Sequence, residues 1–470
     1  MPDDDLLARA RVEAERAAAP VRAAALMRIA RVETAFDRGQ ARITFEMGLA
    51  EARGLRGREG RALLSSARLL AAAVEPKLLH EIPSDGYGHH AGFERGMLVN
   101  VMLQHKHVDA AFEYVTDGDS FGFPFGYAVN LIHRIEDESQ RVAVVRRAVE
   151  AWRSGDDGDG IVGFNGLFGS QWRLLSPDEA REIVLEIVRK EMERPDEGTS
   201  AGYPDGIRIT SRREHTFFEL LHVLRHLDPS LAESLIAGHE QLAAAARRFP
   251  KGRETMIEED EERRRQMVAS GQSCTGGFVM AGDPRNMPYM HSMIEASRSG
   301  DYESPIGHAL EKYKEDTDPE NPNETPKAMW PSTARFRSIL HSAGKRLGND
   351  AAVYLKRVPD EDLRLFARIE LAAALAGLPE VPGSQMTFRP RQHRARIQGE
   401  PMLSPDGARV RCPKCEWKPS VENRWGCKCG HRWNTFWTRG LCPGCKYQWT
   451  ETLCFGCGEV SPHADWYVRG

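Results

Sequence analysis

The stretch WRLLSPDEA, residues Trp172–Ala180, predicts a corner between two helices. Ser176 is a residue type that caps helix N-termini. Pro177 suits the first helical position, because its missing N–H would have no partner there. Glu179 follows Ser176 by three residues, which is the spacing of a capping box. Since proline also ends the preceding helix, the chain must turn sharply at this point.

Similar corners recur along the chain, at residues 69–76, 224–232 and, more loosely, 355–360. Between them apolar residues are spaced by three or four, which is typical of amphipathic helices. The pattern resembles α-solenoids of the tetratricopeptide and HEAT type, and it predicts an irregular helical-repeat body. A non-repeating helical bundle is the alternative, because the corners are unevenly spaced and the tetratricopeptide consensus positions are not met.

We therefore predict a mostly α-helical protein with a small, β-rich C-terminal tail. Gly- and Pro-rich stretches mark the boundaries between segments. The predicted segments are a helical-repeat domain (1–250), a charged helix with a Gly-rich linker (251–286), a second helical domain (287–380), a Pro/Arg-rich linker (381–411) and a double zinc-ribbon module (412–470).

The overall composition is that of a globular protein, with 470 residues, 41% apolar and 28% charged. The sequence contains no 18-residue apolar run, so no membrane segment is expected. Its acidic start lacks the basic and apolar regions of a secretory signal. We expect a cytoplasmic protein without membrane contact.

Cysteine is distributed very unevenly: eight of the nine cysteines fall in the tail, in four close pairs. Two thiolates on one tight turn can bind the same Zn²⁺, and two such turns complete a four-cysteine site. Disulfides would need an oxidising compartment, for which there is no signal, and iron–sulfur ligation is a further alternative. The predicted ligands of two structural zinc ions are Cys412, Cys415, Cys427, Cys429, Cys442, Cys445, Cys454 and Cys457.

The segment from Trp425 to Cys445 resembles a bacterial zinc-ribbon pattern, C-x-x-C-G-H-x-W followed by R and C-P-x-C. Its first pair is one residue shorter than the pattern, which leaves His431 as an alternative ligand. The resemblance implies closed structural sites, in which the metal holds the fold. Six of the nine tryptophans share this tail. We expect these tryptophans to cover a thin core, whereas exposed tryptophans would stack on bases or bind a peptide.

The spacing leaves three ways of sharing four cysteine pairs between two ions. In the sequential pairing, which we favour from the sequence, the first two pairs share one ion and the last two share the other. In the nested pairing, the first and last pairs share one ion, and in the interleaved pairing, the first and third do. The nested pairing matches the zinc-ribbon resemblance.

The tail is basic and the rest of the chain is acidic. From residue 388 onward there are 14 Lys and Arg against seven Asp and Glu, whereas the whole chain has a net charge of −4. Such a tail suggests an anionic partner or docking onto the acidic body. The candidate contacts to nucleic acid or another anion are Arg389, Arg391, Arg394 and Arg396, although such a run is also typical of a solvated linker.

Two features could indicate an enzyme. His215, Glu219, His222 and His226 have spacings that place them on one face of a single helix, as a metal or phosphate site or simply as a polar surface. Cys274 could be an exposed nucleophile or an inert loop residue. The sequence has no P-loop, no Gly-x-Gly-x-x-Gly after a strand, and no Gly-x-Ser-x-Gly or His-Glu-x-x-His motif.

The sequence is compatible with three functions. The first is a non-enzymatic scaffold or adaptor that binds a protein partner through the helical surface and makes a second contact through the tail. The second is a nucleic-acid-binding or regulatory protein that uses the basic tail. The third is an unrecognised hydrolase or transferase, with Cys274 or the histidine face in its site.

Overall fold

A computed structural model shows how these segments are arranged. It describes residues 2–55, 57–82, 91–117, 122–154, 161–196, 198–269, 287–320, 323, 325–381, 408–414, 416–419, 423, 425–426, 432–444, 446–454 and 460–468. The chain divides into two compact units. The first unit comprises Met1–Gly88, Val101–Ala110 and Ala281–Gly470, and the second comprises His89–Asn100 and Ala111–Met280.

The described chain is mostly α-helical, which confirms the predicted fold class at that level. The helices are α1 (Pro2–Arg16), α2 (Ala19–Glu33), α3 (Arg38–Gly54), α4 (Gly57–Val74), α5 (Ala91–Gln104), α6 (Val108–Thr116), α7 (Phe125–Ile132), α8 (Glu138–Arg153), α9 (Ile161–Gln171), α10 (Pro177–Glu193), α11 (Arg212–Glu219), α12 (Leu221–Leu227), α13 (Pro229–Gly238), α14 (Glu240–Arg248), α15 (Arg253–Ala269), α16 (Met287–Ser299), α17 (Glu303–Asp316), α18 (Pro331–Leu347) and α19 (Glu361–Leu375).

Strands are few and short, and all of their pairings are antiparallel. β1 pairs with β2, β3 with β8, β4 with β5, and β6 with β7. The strands are β1 (Gly198–Gly202), β2 (Arg208–Ser211), β3 (Arg409–Val410), β4 (Trp425–Gly426), β5 (Arg432–Trp433), β6 (Glu451–Leu453), β7 (Val460–Pro462) and β8 (Tyr467–Val468).

Two of the predicted corners form as their residue types require, whereas at residues 69–76 the Glu75 side chain makes no cap and Pro76 begins a short 3-10 helix. The Ser176 side chain caps α10 and accepts a hydrogen bond from Glu179 N at 3.2 Å, with Pro177 as the first helical residue. Asp228 caps α13 in the same way, accepting from Leu231 N at 3.1 Å. Both caps bond N–H groups that the helix itself leaves without partners.

The first unit joins helices from the two ends of the body. α2 is buried around most of its circumference, with 11 of its 15 residues inaccessible, so it needs neighbours on more than one side. α3 and α4 pack on it, and so do α1 and α19. The compact units therefore do not follow the sequence-based boundaries at residues 250 and 287, because α19 completes the core that α1 and α2 begin.

The second unit is built around aromatic side chains. Trp152 of α8 stacks on Phe164 of α9, with ring centroids 4.7 Å apart. The hairpin β1–β2 also belongs to this unit and is not predicted by the sequence analysis. Its turn uses Asp205 and Gly206, both with positive φ, and the Pro-Asp-Gly sequence beginning at Pro204 was the local signal for it.

Among the described helices, none has both the length and the apolar composition that crossing a membrane requires.

Candidate functional site

The two Cys-Pro-x-Cys segments of the tail begin with the same backbone turn. The N–H of Cys412 donates to the carbonyl of Trp417, and the N–H of Glu416 donates back to Cys412 O, at 2.9 and 3.0 Å. Cys442 forms the same two bonds with Tyr447 and Lys446, both at 2.9 Å. The fifth residue of each segment has a positive φ, 62° at Glu416 and 61° at Lys446. Each segment thus makes a closed knuckle that begins with a cysteine.

The described cysteines are fully buried. Cys412, Cys442 and Cys454 have no exposed surface, and the N–H of Lys414 donates to the Cys412 Sγ at 3.4 Å. A backbone N–H aimed at sulfur stabilises a thiolate, which is the form that binds a metal. The donor type, its burial and the tight turn all fit Zn²⁺. Five predicted ligands lie outside the described residues, namely Cys415, Cys427, Cys429, Cys445 and Cys457.

A metal site therefore stays a prediction. Within the described ranges, no group of three or more His, Cys, Asp or Glu side chains is placed to hold a metal ion. The other candidate residues of this region and of the Gly-rich linker also lie outside the described residues. They are Arg389, Arg391, Arg394, Arg396, His431 and Cys274.

The tail tryptophans have the structural role expected for most of them. Trp466 is fully buried, while Trp425 and Trp433 keep only 8% and 4% of their surface exposed. Trp437 differs, because 45% of its surface is accessible. Leu441 and Tyr447 are exposed as well. The tail therefore combines a small aromatic core with three exposed apolar side chains.

His463 is part of this core and is held at both ring nitrogens. Its Nδ1 lies 2.5 Å from Thr452 Oγ1, and its Nε2 lies 2.7 Å from the Tyr467 hydroxyl. The ring also stacks on Phe436. Burial, with a smaller contribution from Arg439, lowers the pKa of His463 to about 4. This histidine is a structural residue of the tail, since both nitrogens are already bonded within the protein.

The predicted histidine face on a single helix is wrong. The helix breaks at Leu220, where φ and ψ are −98° and 8°, so α11 carries His215 and Glu219 while α12 carries His222 and His226. A single uninterrupted helix was the premise of the prediction, and local spacing cannot reveal such a break.

The four side chains go to different partners. His222 Nε2 lies 2.8 Å from Gly169 O, and His226 packs against the ring of Trp172. His215 stacks on Tyr203, and Glu219 Oε1 accepts from Arg253 Nη1 at 2.8 Å. Burial lowers the pKa of both His215 and His222. These contacts are those of packing residues and do not converge on one ligand.

A polar patch remains where α9, α11 and α15 meet. Glu219 Oε2, the Tyr203 hydroxyl and both amide atoms of Asn165 are buried and have no hydrogen-bond partner among the described residues. Gly252, with φ of 60°, brings the start of α15 onto α11, since a Cβ there would lie 2.0 Å from Phe218 O. This close approach places Arg253 beside Glu219. Buried polar groups of this kind commonly bind ordered water.

Fully buried charges that no sequence pattern predicts lie in the first unit. Glu370 on α19 accepts from Arg31 Nη2 at 2.6 Å and from Arg337 Nη2 at 3.4 Å, and all three side chains are at least 98% buried. The Nδ1 of His341 lies 3.1 Å from Glu370 Oε1. Burial acts to raise the pKa of Glu370, but the charges of Arg31 and Arg337 outweigh it and hold that pKa well below its ordinary value.

A third buried arginine lies close to this cluster. Arg28 is 6% exposed, and its Nη1 has no hydrogen-bond partner among the described residues. Burial, and then the charge of Arg337, lowers its pKa well below the ordinary value. Because the arginines come from α2 and α18 and the carboxylate comes from α19, the cluster joins segments more than 300 residues apart. Nothing in the spacing of these residues indicates that they meet.

His105 provides a pH-dependent test of the same unit. Burial, with the charges of Arg31 and His107 adding to it, lowers the pKa of His105 to about 4 from an ordinary value of 6.5. As the pH falls through this interval, the unfolded chain takes up the proton first. This histidine's contribution to the free energy of unfolding therefore declines by about 3 kcal/mol between pH 6.5 and pH 4. His105→Gln should remove that part of the pH dependence.

The measurement is urea unfolding, followed by far-ultraviolet circular dichroism, from pH 7.5 down to pH 4.5. As the pH falls, the free energy of unfolding of the wild type should decrease steadily relative to that of H105Q. The matched control is His80→Gln, because His80 is exposed and lies in the same unit. A difference between wild type and H105Q that is independent of pH would contradict the prediction.

Comparison with known proteins finds no relative: no family model, no curated protein and no solved structure matches this chain.

Proposed function

We propose that this chain is a non-enzymatic scaffold or adaptor, whose helical body binds a protein partner and whose zinc-stabilised tail makes a second contact. The observation that carries the proposal is an exposed apolar stripe on α3, formed by Ile43 and Met47. Phe36, Ile43 and Met47 have 58%, 54% and 54% of their surface accessible. Ile43 and Met47 are one turn apart on α3 and therefore share one side of the helix, whereas Phe36 lies in the turn just before the capping residue Asp37.

The other side of α3 holds the helix firmly in place. Phe45 and Leu49 are buried against the core, and Gly48 brings the backbones of α2 and α3 close together. A Cβ at position 48 would lie 2.8 Å from Met27 Cγ and 2.9 Å from Ala23 O. The outward stripe is thus displayed on a helix whose position is already determined, which lowers the entropy cost of binding.

The size of the stripe suits a partner with an apolar face of its own. Removing one such side chain from water contributes roughly 1.5–3 kcal/mol. Burial of Ile43 and Met47 together would supply a substantial part of a micromolar affinity, which corresponds to about 8 kcal/mol. Exposed apolar side chains scattered singly need no functional explanation, whereas adjacent ones are typical of interaction surfaces.

The tail supplies the second contact in this proposal. Trp437, Leu441 and Tyr447 are its exposed apolar side chains, and Arg439 and Lys446 in the same segment of sequence are exposed too. Zinc would hold the fold that displays them, since a module this small has little core of its own. Metal-bound thiolates persist in a reducing compartment, which supports a cytoplasmic location.

The test replaces two neighbouring apolar side chains of the stripe with charged ones, Ile43→Glu and Met47→Glu, in the full-length chain. Capture from native lysate, with quantitative mass spectrometry, identifies proteins retained by the wild type, and their affinity is then measured with purified components. We expect the double variant to bind the partner at least tenfold more weakly. This loss follows because two glutamates would have to enter an apolar interface.

Val353→Glu is the matched control, because Val353 is 58% exposed in the same unit but lies outside α3. It should retain the partner. Equal capture by the wild type and the α3 variant would overturn the proposal, and so would recovery of the isolated polypeptide alone from the wild-type experiment. Capture that disappears after nuclease treatment, or on raising the salt concentration, would instead support the nucleic-acid alternative.

A further inference from the structure

We infer that Cys412 and Cys454 bind the same metal ion and that Cys442 binds the other, which is the nested pairing of the four cysteine pairs. This inference rests on the zinc-stabilised tail of the proposed function. It replaces the sequential pairing that the sequence favoured. The order of cysteines along the chain does not determine which knuckles meet, whereas the strand pairing and the side-chain packing of the tail do.

The first and last parts of the tail lie side by side. β3, which leads directly into Cys412, pairs with β8 at the end of the chain, with Arg409 opposite Val468 and Val410 opposite Tyr467. One step further on, the N–H of Arg411 donates to Trp466 O at 3.0 Å. The first cysteine is therefore anchored next to the C-terminal segment.

Trp466 connects the paired strands β3 and β8 to the segment that carries Cys454. Its Nε1 donates to Ser461 Oγ at 2.9 Å, and Ser461 on β7 stands opposite Thr452 on β6. β6 ends at Leu453, so Cys454 follows immediately. Accordingly, Cys412 and Cys454 share one apolar cluster with Val410, Trp425, Phe436 and Trp466.

Cys442 belongs to a separate apolar cluster, in which it is buried with Trp433 and packed against Trp449. Trp433 Nε1 donates to Thr438 Oγ1 at 2.8 Å, and that hydroxyl donates to Leu441 O, the residue before Cys442. Trp433 lies on β5, the return strand of the hairpin whose connection contains Cys427 and Cys429 in the sequence. Through Trp433, the third knuckle is thus tied to β5, the strand that follows the second cysteine pair in the sequence, while Cys412 lies in one cluster with Cys454.

Three double variants separate the three pairings, because each described cysteine represents a different pair. A double variant retains one ion only when both of its cysteines belong to the same site. Cys412→Ser with Cys454→Ser retains one ion in the nested pairing. Cys442→Ser with Cys454→Ser does so in the sequential pairing, and Cys412→Ser with Cys442→Ser does so in the interleaved pairing.

The experiment measures zinc per chain by elemental analysis, in full-length protein purified by gel filtration. We expect two zinc ions in the wild type and one in C412S/C454S, whereas each of the other two double variants should have none. Retention of an ion by either of those two variants, with none in C412S/C454S, would overturn the inference. A wild-type chain without zinc would overturn the metal-stabilised tail itself. The partner-binding assay on α3 remains a separate test of the scaffold.

Thiol alkylation followed by mass spectrometry gives a second measurement if a double variant fails to fold. In the single variant Cys412→Ser, loss of one ion should expose the thiol of Cys454 to alkylation and leave Cys442 protected. The converse single variant, Cys442→Ser, should leave both Cys412 and Cys454 protected. Modification of Cys442 in the Cys412→Ser variant, with Cys454 still protected, would contradict the nested pairing.

Discussion

Replacing Glu370 with glutamine should lower the free energy of unfolding of the first unit by about 3–5 kcal/mol. The substitution keeps the shape of the side chain but removes its charge. Arg31 and Arg337 would then lie in the core without the carboxylate that both now contact, and Arg28 is buried nearby. Since whole domains are stable by only about 5–15 kcal/mol, a measurable fraction of E370Q should be unfolded at 37 °C.

Urea unfolding followed by circular dichroism measures this effect. Glu370→Asp is the informative second variant, because it keeps the charge while shortening the reach, and it should be more stable than E370Q. Glu46→Gln is the matched control, since Glu46 pairs with Arg42 on the exposed side of α3 and exposed pairs contribute at most about 1 kcal/mol. If E370Q and E46Q have the same stability, the buried cluster is not the stabilising element that we infer.

Removing the metal from the tail should have the other large effect. Binding of a structural zinc ion contributes on the order of 10 kcal/mol or more, which exceeds what the small core of the tail can supply. A chelator such as EDTA should therefore unfold the tail. Trp425, Trp433 and Trp466 would become exposed to water, so tryptophan emission should shift to longer wavelength.

The helical body provides the internal control for this measurement. Its helices contain none of the predicted zinc ligands, so the far-ultraviolet helical signal should remain after chelation. Adding Zn²⁺ back should restore the original emission spectrum. If the emission stays unchanged after elemental analysis confirms that the metal has been removed, the tail does not depend on metal for its fold.

The helical class and several helix starts could be predicted from local sequence. Ser176 and Asp228 cap helices because each side chain bonds an N–H group only three residues away. Such interactions are local, and the residue types that make them are visible in the sequence. The same holds for the tail, where the close cysteine pairs identify candidate knuckles without reference to distant residues.

Two predictions depended on more than local spacing: the structure corrects the first, and our inference departs from the second. The predicted histidine face required one continuous helix. The helix is interrupted at Leu220, and His215 and His222 contact different neighbours. The favoured pairing of cysteines assumed that neighbours in sequence share a metal. The pairing of β3 with β8 places Cys412 near the end of the chain instead, and this supports the nested arrangement.

The sequence by itself determined that this protein is mostly helical, where several of its helices begin, and that its cysteines are concentrated in a small tail. Only the tertiary structure decided that α1 and α2 share a core with α19, and that Arg31 and Arg337 meet at Glu370. It also decided that Ile43 and Met47 face solvent while Phe45 and Leu49 are buried. The physical reason is that caps and turns act over a few residues, whereas burial depends on which helix covers which face.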